Sequence, residues 1–208
     1  QIDITINMPN FIYNDKIYRN GYIHISSPND TLKANAYVKK KSDNGHNLEL
    51  NIDASAINNK LNTIISFKKN NFYNIHGIIN TETQFFKSSV GTSSARIKVN
   101  PSNIFVGDTI WKVKPSDIIY GTNNLTIDHF SIEHNKQHLI VSGLATKNPS
   151  DSLFVDIKDV DVSYILNLVN FHSVSFSGLA TGRAYISNLF DKPQSAAKLL
   201  VNKFKLKS

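Results

Sequence analysis

Catalysis and metal binding need side chains that converge, and the histidines, carboxylates and serines are the first candidates. His129, His134 and His138 lie close together, with Glu133 beside them. A zinc centre takes three or four converging ligands held by a supporting shell. In an alternating strand His129 points away from the other two, while His134 and His138 flank an Asn135-Lys136-Gln137 turn and face each other across a hairpin. We read this as a solvated hairpin end. Asp151, Asp156, Asp159 and Asp161 form a second group. Asp159 and Asp161 fall opposite Val160 and Val162, as the polar outside of a one-sided sheet. A glycosidase pair would instead face across a cleft from unlike environments. The serines sit in no G-x-S-x-G elbow, and no glycine loop is built to cradle phosphate. The chain has no cysteine, which removes disulfides and thiolate chemistry. The residues point to no enzyme, no cofactor and no metal.

The elements that carry these residues follow a period of two. It appears in Ile2-Ile4-Ile6, Leu32-Ala34-Ala36-Val38, Leu48-Leu50-Ile52-Ala54, Leu139-Val141-Gly143-Ala145, Leu153-Val155-Ile157, Val160-Val162 and Val174-Phe176-Gly178-Ala180. Turn formers separate the runs, among them Asn29-Asp30, Asp43-Asn44-Gly45, Asn70-Asn71, Asn123-Asn124 and Asn148-Pro149-Ser150-Asp151. The pattern predicts an all-β chain, a single elongated antiparallel meander. Helix is confined to two short candidates, Ser163–Asn170 with Ser163 as cap, and Ala54–Leu61. Gly77, Gly143 and Gly178 recur in one frame, and Ser-Gly-Leu-Ala-Thr stands at both 142–146 and 177–181. We read these as structural glycines of a degenerate hairpin repeat.

An antiparallel sheet with one apolar face must cover that face. No long crossover marks a two-sheet sandwich, so the expectation is one sheet curled on itself. Trp111 and Val113 alternate ahead of Pro115, and Trp111 reads more readily as a core residue fixing the curl than as a ligand anchor. Net charge is +7, carried mainly by scattered lysine, with Arg19, Arg96 and Arg183 the only arginines. Scattered lysine without arginine forks keeps sheet edges soluble and does not read nucleic acid. No apolar run is long enough to cross a bilayer as a helix.

The residues from Val99 to Phe204 carry a family resemblance. Pro101-Ser102, Asp108-Thr109-Ile110-Trp111-Lys112-Val113, Pro115-Ser116 with Ile118, Ser-Gly-Leu-Ala-Thr at 142–146, Asp151-Ser152-Leu153-x-Val155 and Val160-Asp161-Val162 are similar to the TamB-type proteins of the Bacteroidetes, within the AsmA-like superfamily. Residues 1–98 match only in style. The resemblance implies one continuous β-groove segment over 1–208, internal to a longer, periplasmic protein anchored in the inner membrane by parts outside the segment. It also implies a taco-shaped groove with an apolar interior and a role in envelope biogenesis. The implied partners are phospholipid acyl chains and an outer-membrane barrel protein of the Omp85 type. The residues expected to line the groove are Trp111, Val113, Leu139, Val141, Leu153, Val155, Ile157, Val174, Phe176, Leu199 and Val201. About 14 strands stacked roughly 4.8 Å apart would make a trough of roughly 65 Å. Two rivals remain: a chaperone-like scaffold whose strand edges template another β-chain, and a surface carbohydrate-binding or adhesive β-protein.

Overall fold

The computed structural model describes residues 2–13, 16–41, 47–70, 74–89, 91–164 and 175–207. Fifteen strands, antiparallel to the partners given below, take up most of them, and the chain divides into two compact units, 1–113 and 114–208. The division falls inside the stretch that carries the family resemblance, not at its start near Val99.

In the first unit β1 (Asp3–Tyr13), β2 (Lys16–Ser26), β3 (Leu32–Lys41), β4 (Asn47–Ile57), β5 (Lys60–Asn70), β6 (Asn74–Lys87) and β7 (Ser93–Val99) pair in chain order. The meander then changes. β8 (Ser102–Val106) pairs with Ile75–Gly77 of β6, so β7 and β8 run end to end along one edge of that long strand. The register slips by one residue between Thr81↔Val99 and Gly77↔Ile104. Pro101 occupies the slip, where a residue without an N–H costs the ladder nothing. β9 (Thr109–Val113) folds back on β8 through Gly107-Asp108, with Gly107 at φ 57°. Strand alternation gives no hint that two short strands share one long partner.

The helix expected over Ala54–Leu61 is a hairpin. β4 runs to Ile57, β5 starts at Lys60, and Asn58 and Asn59 stand at φ 49° and 60°. Two left-handed residues make a type I′ turn, whose twist matches the flanking strands, and asparagine is among the few residues that tolerate it. That turn chemistry outweighed the weak helical spacing of Ala54, Ile57 and Leu61.

The second unit is a six-strand meander: β10 (Ser116–Gly121), β11 (Asn124–His134), β12 (Gln137–Ala145), β13 (Ser152–Asp161), β14 (Ser175–Ser187) and β15 (Gln194–Lys207). Its ladder is interrupted on alternate strands. Register shifts fall between Ile127 and Phe130 on β11, between Ile157 and Val160 on β13, and opposite Ser177–Leu179 on β15. His129, Asp159 and Lys203 adopt φ 47°, 51° and 54° there. These are β-bulges, each adding one residue to its strand and sharpening the local twist.

The second helix candidate begins earlier than expected. A helical turn starts at Val162, and its cap is Asp161, whose Oδ1 accepts from the Ser163 amide at 2.8 Å and hydroxyl at 2.6 Å. The remainder of Ser163–Asn170 lies outside the described residues. Val162 is therefore not a strand residue, while Asp161 closes β13, paired with Leu179 and alternating with buried Val160. Asp159 sits in the β13 bulge, where its Oδ1 accepts from Thr181 Oγ1 at 3.2 Å.

Candidate functional site: the apolar sheet faces

Residues paired across an antiparallel ladder share a face, so register decides which side chains converge. In the second unit Leu139↔Ile157↔Gly182↔Leu199 and Val141↔Val155↔Ala184↔Ala197 run as rows across four strands. Leu153 and Ile186 pair one row further on, and Val201 opposite Ala180 continues the face beyond Leu199. Seven expected lining residues, Leu139, Val141, Leu153, Val155, Ile157, Leu199 and Val201, thus occupy one face. Ile127, Phe130 and Ile132 of β11 join them through Gly143, Val141 and Leu139. Phe176 belongs to β14, and Val174 lies outside the described residues.

Cover on this face is uneven. Leu153 and Ile157 are 6% and 7% exposed, while Leu139, Val141 and Val155 are half-buried and Leu199 on the edge strand is 38% exposed. The face is closed at β13 and opens toward β15.

Trp111 and Val113 belong to the first unit. Trp111 pairs with Ile104 and Val113 with Ser102. They are 5% and 1% exposed, which makes them core positions. The first unit has an equally continuous apolar face, of which the expected lining residues covered only Trp111 and Val113. It includes Ile4, Ile6, Ile23 and Ile25, then Ala34, Ala36, Ile52 and Ala54, then Ile65, Phe67 and Ile79. Ile4 and Ile6, on the outermost strand, are about half exposed. The alternation of Ile2-Ile4-Ile6 and its successors was the available signal, and it marked a face as well as a set of strands.

Glycines permit the close approaches on these faces. Gly143 has φ 126°, and a methyl group there would overlap the Ser152 carbonyl oxygen and stand 3.3 Å from Leu153 Cα. Gly182, absent from the expected set, has φ 152° and would collide with the Lys198 carbonyl oxygen. Gly143, Gly182 and Gly178 lie across the ladder from the bulges of β11, β13 and β15 respectively. Gly77 is buried beneath the Asn103 carbonyl and the Phe67 ring. The two Ser-Gly-Leu-Ala-Thr copies fold alike locally: Ala145 and Ala180 are both fully buried, and Thr146 and Thr181 both donate to an aspartate. They differ in placement, one closing β12 and the other near the start of β14.

Of the residues first considered for chemistry, Glu133, His138 and Asp156 lie on the polar face, and His134 shares the face of Ile132. Glu133 pairs with His138 and His134 with Gln137, which sets His134 and His138 on opposite faces. They do not confront each other, because the turn is the two residues Asn135-Lys136. His129 sits in the bulge with Nδ1 3.1 Å from Asp128 Oδ1. Among the described residues no group of three histidine or carboxylate side chains is arranged to hold a metal. Asp156 meets Arg183 in a two-pronged contact of 2.7 and 3.2 Å, and the guanidinium also lies 5.2 Å from the Phe154 ring centre. The Arg183 hydrogen bond holds the Asp156 carboxyl below its ordinary range. Glu133 is also held low, first by the Ser131 hydroxyl at 2.6 Å and then by Lys114 at 3.5 Å. In the first unit Asn35, Asn51 and Asp53 form a hydrogen-bonded ladder, and Lys39 meets Glu49 at 2.8 Å. Of these, Asp156–Arg183, Asn35–Asp53 and Lys39–Glu49 are cross-strand pairs that hold register at the surface.

No helix among the described residues is long and apolar enough to cross a membrane. Comparison of the chain with known protein families, with curated proteins and with solved structures gives no match.

Proposed function

We propose that this chain is a non-enzymatic, lipid-handling β segment of a cell-envelope protein of the TamB type, whose apolar sheet faces receive phospholipid acyl chains. The observation that carries the reading is the imbalance between apolar face and core. Among the described residues the buried apolar side chains are Ala95, Val99, Trp111, Val113, Ala145, Leu153, Ile157, Val160 and Ala180, three of them alanines. Many more isoleucines, leucines and valines lie on the same faces half-covered. An acyl chain laid against them leaves water at about 0.8 kcal/mol per CH₂. Such a surface needs no fixed polar constellation, and chains can slide along it. The curl of the sheet into a groove, the periplasmic setting, the inner-membrane anchor and an Omp85-type partner belong to the same proposal and rest on the resemblance of Val99–Phe204.

The test is native mass spectrometry with lipid extraction on the purified chain, wild type and Val141→Arg. The reading expects mixed co-purifying phospholipid on the wild type and a marked loss on the variant, with strand content unchanged by circular dichroism. A lipid-free wild type that takes up no added fluorescent phospholipid refutes it.

One observation favours the scaffold alternative. β1 pairs only with β2, and the 14-residue β15 pairs only with β14 among the described strands. An unpaired ladder edge of that length is a template for another strand. Under that reading a proline on the open edge of β15 costs more function than Val141→Arg.

A further inference from the structure

The apolar face of the first unit carries very few charges. From β3 to β9 the residues that share it by register are aliphatic, aromatic, glycine, serine or threonine, apart from Lys40, Lys69 and Lys87. Among the described residues no carboxylate lies on that face, and Lys87 stands apart from the other two, at the far end of β6. Lys40 and Lys69 stand together at the other end, because Lys40 pairs with Leu48 and Leu48 with Lys69. Ile75 flanks Lys69 on the next strand. Both lysines are half-buried. On the opposite face, by contrast, Lys39 is neutralised by Glu49.

We infer that Lys40 and Lys69 form a headgroup seat, in which the phosphate of a net-anionic phospholipid lies between the two ammonium groups while its acyl chains run over Leu48, Leu50 and Ile52. The inference rests on the lipid-handling reading above and adds the class of lipid and its orientation. Three observations favour this occupant. The two lysines are two strands apart, about 10 Å along the sheet, so their flexible stems can close on one phosphate from both sides. The apolar track begins directly beside them. Burial, and then the charge of Lys40, push the Lys69 ammonium below the ordinary lysine range. Among the described residues the seat thus holds uncompensated positive charge in a partly dry setting, where an anion is worth more than on an open surface.

The experiment is isothermal titration of the whole chain with dioctanoyl phosphatidic acid, dioctanoyl phosphatidylcholine and inorganic phosphate. It uses the wild type, Lys40→Gln/Lys69→Gln, and the control Lys33→Gln/Lys98→Gln, which removes the same charge from the polar face of the same unit. The wild type and the control should prefer the phosphatidic acid by about tenfold, the scale of two partly exposed ion pairs. The Lys40/Lys69 variant should bind both lipids alike, and Lys40→Arg/Lys69→Arg should keep the preference. Equal binding of both lipids by the wild type overturns the seat and leaves the acyl track standing. A preference that survives in the Lys40/Lys69 variant, or that the control loses equally, also overturns it. Inorganic phosphate binding as tightly as the phosphatidic acid would assign the lysines to free anions. Failure of both lipids to bind the wild type sinks the acyl track and the seat together.

Discussion

Gly143→Ala is the sharpest probe of how the second unit is built. Gly143 pairs with Ile127 on one side and Leu153 on the other, at φ 126°. A side chain is strained at that angle whatever its surroundings, typically by about 1–3 kcal/mol. The added methyl would also overlap the Ser152 carbonyl oxygen, forcing β12 and β13 apart where Leu153 is buried. We expect about 3 kcal/mol in total. Gly107→Ala is the matched control: φ 57° is left-handed, but nothing lies within 4 Å of the new methyl. That variant should lose only about 1 kcal/mol. The difference of about 2 kcal/mol corresponds to a melting point lower by roughly 5 °C for a chain of this size. Thermal unfolding followed by far-ultraviolet circular dichroism reads both. If Gly143→Ala melts within about 1 °C of Gly107→Ala, the close approach of β12 to β13 does not constrain the sheet and the reasoning fails.

Val113→Ala removes two methyl groups from the most completely buried large side chain and should cost about 2 kcal/mol in denaturant titration. Lys69→Met should stabilise the chain by about 0.5 kcal/mol at neutral pH, by removing a partly desolvated charge that solvent still screens. The lysine is lowered in the folded state, so the unfolded chain binds more protons between the folded and ordinary values. Wild-type stability therefore rises through that alkaline window, and the advantage of Lys69→Met should shrink there, as denaturant midpoints at stepped pH will show. Arg183→Gln should return the Asp156 carboxyl toward its ordinary value in a carbon-detected NMR titration. Because the wild-type value is depressed, the pair stabilises the fold above the ordinary aspartate range, and that contribution fades as pH falls through the folded value.

Alternation of apolar residues with polar ones made the strands and their shared face legible, since side chains on a pleated strand repeat every second residue. The spacing also held a signal that went unread. Ile127-x-x-Phe130, Ile157-x-x-Val160 and Val201-x-x-Phe204 each step by three within a run of twos. Each step contains the left-handed residue of a bulge, His129, Asp159 or Lys203. Reading Leu153-Val155-Ile157 and Val160-Val162 as separate runs missed one bulged strand. The histidine pair was misplaced by a single residue of turn length, enough to send His134 and His138 to opposite faces. The split partners of β6 were not legible at all, because sharing an edge is a property of the assembled ladder and not of any one strand.

The alternate-strand bulges bear on fidelity as well as on twist. A chain written in near-uniform alternation has many pairings of similar quality, and a slide by two residues would keep every apolar side chain on its proper side. A notch of one extra residue, met across the ladder by a glycine, fits at one position only. Sliding β12 by two residues would take Gly143 out of line with the β11 notch and the Ser152 carbonyl, and would bring a side chain with a β-carbon into its place. The three notches thus act as detents, each stopping its hairpin at a single setting. A repetitive sequence can thereby fold to one arrangement with little help from polar side chains.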